Sequence, residues 1–98
     1  MASTAAEIVA GIKQYVGKRG YENWYAGIAE KPKKRLFDRH RVTKENGLWI
    51  HKRATSVAEA RTAEKMLIDE GFQGGSGGGT DDSTAVYAYR ITPTTSED

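Results

Sequence analysis

The chain has 98 residues, no cysteine and two histidines. A chain of this length forms one domain with a single modest core, and the lack of cysteine excludes disulfides, thiolate zinc sites and thiol catalysis. Its apolar segments are too short to span a membrane and its first residues do not resemble a signal peptide, so we expect a cytoplasmic protein without a membrane partner.

Positive charge is concentrated in one part of the chain. The net charge is +2, yet residues 31–53 contain nine cations and two acids, so this segment carries +7 and the remainder carries −5. Such an uneven distribution of charge is typical of a protein that binds a phosphate-rich partner, although a solvated basic helix would give the same pattern. The candidate nucleic-acid-binding residues are Lys31, Lys33, Lys34, Arg39, Arg41, Lys52 and Arg53.

The first half of the chain predicts a helix, a strand and a second, shorter helix. Thr4 and Glu7 form a capping-box pattern ahead of apolar residues at helical spacing. Residues 24–29 predict a strand, in which a glycine beside a tyrosine leaves a hollow on one face. Pro32 suits the first turn of a helix that runs to Arg39, because its missing N–H is not needed there.

The second half predicts two more strands with a long helix between them. Residues 48–53 and 85–91 have the aromatic and β-branched content of strands. Ser56 and Glu59 form a second capping-box pattern at the start of the intervening helix. The glycine-rich segment 74–82 fits neither a Walker loop nor a dinucleotide fingerprint, so we interpret it as a flexible connection.

One carboxylate of this long helix falls on its apolar face. At about 100° per residue, Glu64 lies within a stripe of alanine, leucine and isoleucine side chains. A carboxylate that faces a core is destabilising unless it is paired or binds a metal. Two interpretations stay open: a buried ion pair with Arg35, Arg39 or Arg61, or a metal ligand or general acid–base group at the floor of a site.

The order of these features resembles the GIY-YIG nuclease family. The strand residues "YAG", which begin at Tyr25, are similar to the second half of the family name. The segment "RLFDRH" from Arg35 to His40 is similar to the family's catalytic helix, and Glu64 ahead of a Leu-Ile pair is similar to its metal-binding helix. The resemblance covers residues 24–72.

The resemblance implies an α+β domain with a small three-stranded antiparallel sheet flanked by helices, which hydrolyses DNA, with RNA as an open alternative. It implies that Glu64 holds one Mg²⁺ or Mn²⁺ ion and that Arg35 contacts the scissile phosphate. Tyr25 would position or deprotonate the attacking water, with His40 as an alternative base. Because Arg35 and His40 are five apart, they do not share a helical face, and we expect His40 to reach the site from the helix end.

The family's first strand is missing from its usual place. Family members carry a "GIY" strand just before the "YIG" strand, whereas the preceding residues here predict a helix, and the family's asparagine after the glutamate helix is absent. We therefore expect a permuted strand, with residues 85–91 in the centre of the sheet, paired with both other strands. This position would bring Tyr87 or Tyr89 near Tyr25.

Two other functional classes stay open. One is a non-catalytic nucleic-acid-binding module on a degenerate nuclease scaffold, which the missing asparagine favours. The other is a protein-interaction module in which Glu64 forms a structural pair with an arginine. In each case we expect a single GIY-YIG-like domain over residues 1–92 and a disordered tail over 93–98.

Overall fold

The architecture was taken from a computed structural model, which describes residues 3–17, 20–43, 47–74 and 83–96. Most of the predicted glycine-rich connection, residues 75–82, lies outside the described residues. Within those ranges no helix is both long enough and apolar enough to cross a membrane. The elements are α1 (Ala5–Val16), a 3-10 turn (Tyr21–Asn23), β1 (Trp24–Ala29), α2 (Pro32–Lys34), a π-helical segment (Arg35–Arg39), β2 (Trp49–Arg53), α3 (Val57–Asp69) and β3 (Ala85–Arg90).

The C-terminal strand β3 lies in the centre of the sheet. It pairs antiparallel with β1 on one side and with β2 on the other, so the strand order is β1-β3-β2. Every residue of β3 except Arg90 is buried, which suits a strand covered on both faces and paired along both edges. The predicted α+β class, the three-stranded antiparallel sheet and the central position of this strand are confirmed.

The two faces of the sheet pack against different elements. Helices α1 and α3 cover one face and form the larger core with it, around Trp24 and Leu67. A smaller cluster on the other face contains Leu36, Tyr87 and Tyr89 and lies against the segment that follows β1. The sheet is therefore held by the first core, and its tyrosine-bearing face turns toward the basic segment.

The two long helices begin at the predicted capping residues. The Thr4 side chain accepts from the Glu7 N–H, and the Glu7 carboxylate accepts from the Thr4 N–H at 2.9 Å, which completes a capping box. At α3 the Ser56 hydroxyl accepts from the Glu59 N–H at 3.1 Å. The Glu59 carboxylate accepts instead from the Ala5 N–H at 3.0 Å, so it ties the starts of the two helices together.

Candidate functional site

The basic segment after Pro32 does not continue as an α-helix. From Arg35 to Arg39 it is π-helical, and the N–H of His40 donates to the carbonyl of Arg35 at 3.0 Å. A π-turn is closed by hydrogen bonds between residues five apart, so such residues approach one another. His40 does end the segment, as expected. The expectation that Arg35 and His40 lie on different faces is wrong, because it assumed α-helical spacing.

Tyr87 of β3 joins these two side chains. Its hydroxyl lies 2.8 Å from Nε2 of His40 and is also hydrogen-bonded to the Arg35 side chain. Burial, and next the nearby Tyr25, raise the pKa of the Tyr87 phenol, while Arg35 acts in the opposite direction. The phenol is therefore neutral at physiological pH and has a proton to donate.

Gly27 provides the space that the Tyr87 ring occupies. The two residues are opposite each other in the register of β1 and β3. A Cβ atom at Gly27 would overlap the hydroxyl oxygen and adjacent ring carbons of Tyr87. The hollow that the sequence predicts on this face is thus filled by a tyrosine of the same chain.

His40 is held through both ring nitrogens. The side chain is only 2% exposed, and its Nδ1 lies 2.6 Å from the carbonyl oxygen of Ser96. Because a carbonyl oxygen can only accept, Nδ1 carries the ring hydrogen. In the neutral imidazole, Nε2 is then the acceptor for the hydroxyl hydrogen of Tyr87.

Part of the predicted tail lies against this histidine. Residues 93–96 are described, and the N–H of Ser96 donates to the His40 carbonyl at 2.7 Å. The Tyr89 hydroxyl lies 3.3 Å from the Ser96 carbonyl and 3.1 Å from Nδ1 of His40. Residues 97 and 98 lie outside the described residues.

Tyr25 of β1 completes the aromatic part of the cluster. Its ring stacks on Tyr89 with centroids 5.4 Å apart, and its centroid lies 4.9 Å from that of His40. The predicted approach of the C-terminal strand's tyrosines to Tyr25 is confirmed. Tyr25 is half-buried, so part of its side chain reaches the surface.

Glu64 of α3 is buried, as predicted, with 4% of its surface exposed. Burial raises its pKa and the charge of Arg61 opposes that shift, whereas Arg35 and Arg39 are not among the described groups that affect it. Its own charge contributes to the raised pKa of the Tyr87 phenol. The carboxylate therefore lies within electrostatic reach of the Tyr87 hydroxyl.

A metal ion at Glu64 would depend on few protein ligands. Across residues 3–17, 20–43, 47–74 and 83–96, no group of three or more His, Cys, Asp or Glu side chains is arranged to hold one. Mg²⁺ often binds through one or two carboxylates, with water and substrate phosphate as the other ligands. A buried carboxylate with a raised pKa gains from such a cation. Mg²⁺ or Mn²⁺ at Glu64 would need water and substrate to complete its coordination, and it would have to reach a carboxylate that is buried.

An open groove of about 390 Å³ lies next to the cluster and shares Arg35 with it. Its four cations outnumber its two acids, which favours an anionic ligand. The groove brings together three of the predicted nucleic-acid-binding residues. It is lined by Ala29, Glu30, Lys31, Lys34, Arg35, Asp38, Arg39 and Ser83.

The other predicted nucleic-acid-binding residues lie apart from this groove. Burial, and next the charges of Lys33 and Arg53, lower the pKa of His51 on β2, and neither of these two cations lines the groove. Lys52 extends over α1, on the opposite face of the sheet. Arg41 is exposed and follows the π-helical segment.

Sequence reasoning assigned no role to two parts of this site. Tyr87 was expected near Tyr25, but without a chemical function. The alternation that places it on the face of Gly27 is the signal that could have identified it. Ser96 acts through its backbone carbonyl, which no side-chain pattern reveals.

No protein-family model matches the chain, and no curated protein or solved structure matches it at a significant level. The resemblance to GIY-YIG nucleases therefore stays a prediction, and any functional proposal depends on the geometry of the cluster and the groove.

Proposed function

We propose that this protein is a metal-dependent endonuclease that hydrolyses phosphodiester bonds of DNA. The observation that supports it best is the hydrogen-bonded cluster of Arg35, His40 and Tyr87 beside a cationic groove. The Tyr25 ring contacts His40, and the charge of Glu64 acts on the Tyr87 phenol. A hydrophobic core does not require a guanidinium, an imidazole, two phenols and a carboxylate together. Such clusters with perturbed pKa values are typical of functional sites.

Arg35 is the residue that would bind the scissile phosphate. Its side chain lines the groove and is half-buried, so it is open to a ligand on one side. Its hydrogen bond to the Tyr87 hydroxyl would fix the orientation of the guanidinium. A guanidinium held in this way can donate two parallel hydrogen bonds to a phosphate and stabilise charge that develops on its oxygens.

The buried and half-buried members of the cluster would have different tasks. Tyr87 and His40 are 1% and 2% exposed, so they would support the other residues rather than contact DNA. Tyr25 contacts both Tyr89 and His40 and is half-buried, which would make it the phenol of the cluster that a substrate water can reach. It would orient this water or accept its proton.

Glu64 would hold the metal ion on the α3 side of the site. A bound Mg²⁺ or Mn²⁺ ion supplies Lewis-acid stabilisation of charge on the phosphate oxygens. In its absence the burial of Glu64 raises the carboxyl pKa, so metal binding and proton release would be linked at this residue. DNA as the partner and a cytoplasmic location belong to this proposal, with RNA as the alternative substrate.

A second candidate is a nucleic-acid-binding module without catalysis. The burial of Glu64, at 4% exposure, favours it, because a metal ligand has to be reached from the groove. The cationic groove would still bind phosphates in such a protein. This candidate predicts binding that weakens with salt, with a log–log slope of about −0.9 per duplex phosphate contacted, and no cleavage.

A cleavage assay distinguishes the two candidates. Plasmid, single-stranded and branched DNA are incubated with the protein in Mg²⁺, Mn²⁺ or EDTA. The endonuclease proposal predicts metal-dependent cleavage that Glu64→Gln abolishes. Asp69→Asn is the matched control, since it makes the same chemical change at an exposed position of α3 and should leave cleavage unchanged.

The negative outcomes are also informative. Binding without cleavage in either metal would contradict the endonuclease and support the binding module. If neither a long duplex nor a long single strand shifts in a gel at about 50 mM salt, both nucleic-acid proposals are wrong.

A further inference from the structure

We propose that residues 92–96 are a positioning element that holds His40 in the Nδ1–H tautomer, with Nε2 directed at the Tyr87 hydroxyl as an acceptor. The consequence for catalysis rests on the proposed nuclease function. The tautomer of His40 is independent of that function, because it is inferred from the hydrogen bonds of the ring.

Ser96 contacts both the side chain and the main chain of His40. Its carbonyl oxygen lies 2.6 Å from Nδ1, and its N–H donates to the His40 carbonyl at 2.7 Å. Because Ser96 contacts both the backbone and the ring of His40, it fixes the position and the rotation of the imidazole. Both involve backbone atoms of Ser96, so its side chain is not needed for them.

The turn before Ser96 is closed by its own hydrogen bonds. The N–H of Thr92 donates to the Thr95 hydroxyl at 3.1 Å, and this hydroxyl donates to the Thr92 carbonyl at 3.0 Å. The N–H of Thr95 also donates to the Thr92 carbonyl at 3.2 Å. The chain that leaves β3 is therefore folded back in a defined turn that delivers the Ser96 carbonyl to His40.

Tyr89 provides an alternative hydrogen-bond partner for Nδ1 of His40 when the Ser96 carbonyl is removed. Its hydroxyl lies 3.3 Å from the Ser96 carbonyl and 3.1 Å from Nδ1 of His40. With the carbonyl present, Tyr89 and the ring N–H can both donate to it. Without it, the Tyr89 hydroxyl can donate to Nδ1, which then becomes an acceptor and places the ring hydrogen on Nε2.

This exchange would reverse the hydrogen bond between His40 and Tyr87. Nε2 would then carry the ring hydrogen and donate it to the Tyr87 oxygen, whereas in the Nδ1–H form it accepts from the Tyr87 hydroxyl. Arg35 already donates to the same oxygen, so the phenol would receive two hydrogen bonds and its own hydrogen would lose its acceptor. The segment 92–96 thus determines the direction of the hydrogen bonds beneath Arg35.

Long-range ¹H–¹⁵N NMR of the imidazole nitrogens measures the tautomer directly. The chain contains two histidines, so His51 is an internal reference. The full-length protein is compared with a chain that ends at residue 92, with Ser96→Pro and with Ser96→Ala. Proline removes the N–H that pairs with His40, whereas alanine keeps both backbone contacts and is the matched control. Far-UV circular dichroism and thermal melting identify any variant that does not fold.

We expect the Nδ1–H form of His40 in the full-length protein and in Ser96→Ala, and a shift toward Nε2–H in the shortened chain, which lacks the Ser96 carbonyl. Ser96→Pro keeps this carbonyl and loses only the N–H contact, so it should shift less. In the cleavage assay the shortened chain should lose about 10- to 100-fold in kcat with little change in KM, the loss that removal of an orienting partner causes at metal-ligating histidines. An Nε2–H form in the full-length protein, or an unchanged tautomer in a folded chain that ends at residue 92, would overturn the inference. If the tautomers are as expected but the protein cleaves no DNA, the inference about residues 92–96 is supported and the endonuclease proposal is contradicted.

Discussion

Replacing Gly27 with alanine tests whether the Tyr87 ring lies where the cluster requires it. A Cβ at this position would lie 2.6 Å from Cζ of Tyr87 and closer still to the hydroxyl oxygen. The ring cannot move aside easily, because it is 1% exposed and its hydroxyl is bonded to His40 and Arg35. The substitution therefore either strains the sheet or displaces the phenol from its partners.

The expected cost follows from two opposing effects. Forcing extra volume into a packed site costs about 1–3 kcal/mol, while replacing glycine with alanine recovers about 0.4–1 kcal/mol of unfolded-state entropy. The net loss for Gly27→Ala is then about 0–2.6 kcal/mol, and its midpoint of about 1.3 kcal/mol corresponds to roughly 5–10 °C in Tm for a domain of this size. Gly11→Ala is the control. Its Cβ would meet only the flexible end of Lys52, and it improves the interior of α1, so it should raise the Tm.

Thermal melts followed by circular dichroism measure both variants, alone and combined with Tyr87→Phe. Removing the hydroxyl removes the atom nearest the new Cβ, so Gly27→Ala should cost at least about 0.5 kcal/mol less in the Tyr87→Phe background. A Gly27→Ala protein that melts at or above the wild type, or strict additivity with Tyr87→Phe, would refute the packing described above.

Three further predictions concern the carboxylate, the phenol and the central strand. Because the pKa of Glu64 is raised, the folded state loses stability as pH rises from 4.5 through the raised value. Glu64→Gln should therefore match the wild type in Tm below 4.5 and exceed it at neutral pH; a lower Tm there would indicate a structural ion pair. The raised pKa of Tyr87 likewise predicts that stability falls as pH rises above 10.0, and that Tyr87→Phe reduces this fall in alkaline melts; an unchanged alkaline profile would contradict it. A chain that ends before Thr84 lacks β3 and should show no cooperative melt; a folded product would show that the central strand is dispensable.

The sequence is sufficient to predict the helices and strands because their signals are local. The capping residues Thr4 and Ser56 begin helices where expected, and the alternating tyrosines of β3 identify a strand whose aromatic side chains share one face. The central position of β3 was predicted through the resemblance to GIY-YIG nucleases, which implies a strand beside β1 that no segment before β1 could supply. The burial of Glu64 followed from helical periodicity.

The details of the site depend on interactions that local sequence does not encode. A π-turn over Arg35–Arg39 has the same composition as an α-helical turn, so the convergence of Arg35 and His40 could not be read from their spacing. The contact from Ser96 uses a backbone carbonyl, which every residue has. Arg61 was one of three arginines that could affect Glu64, and tertiary packing selects it.

Comparing Arg35→Lys with Arg39→Lys in single-turnover cleavage tests the central claim most directly, because both arginines line the groove but Arg35 alone is hydrogen-bonded to Tyr87. Lysine keeps the charge and loses the planar fork. At saturating DNA and Mg²⁺, the account predicts that Arg35→Lys slows cleavage by about 10²–10³-fold with binding retained, whereas Arg39→Lys weakens binding and leaves the saturated rate unchanged. Equal effects of the two substitutions, or a wild type that cleaves nothing, would contradict it.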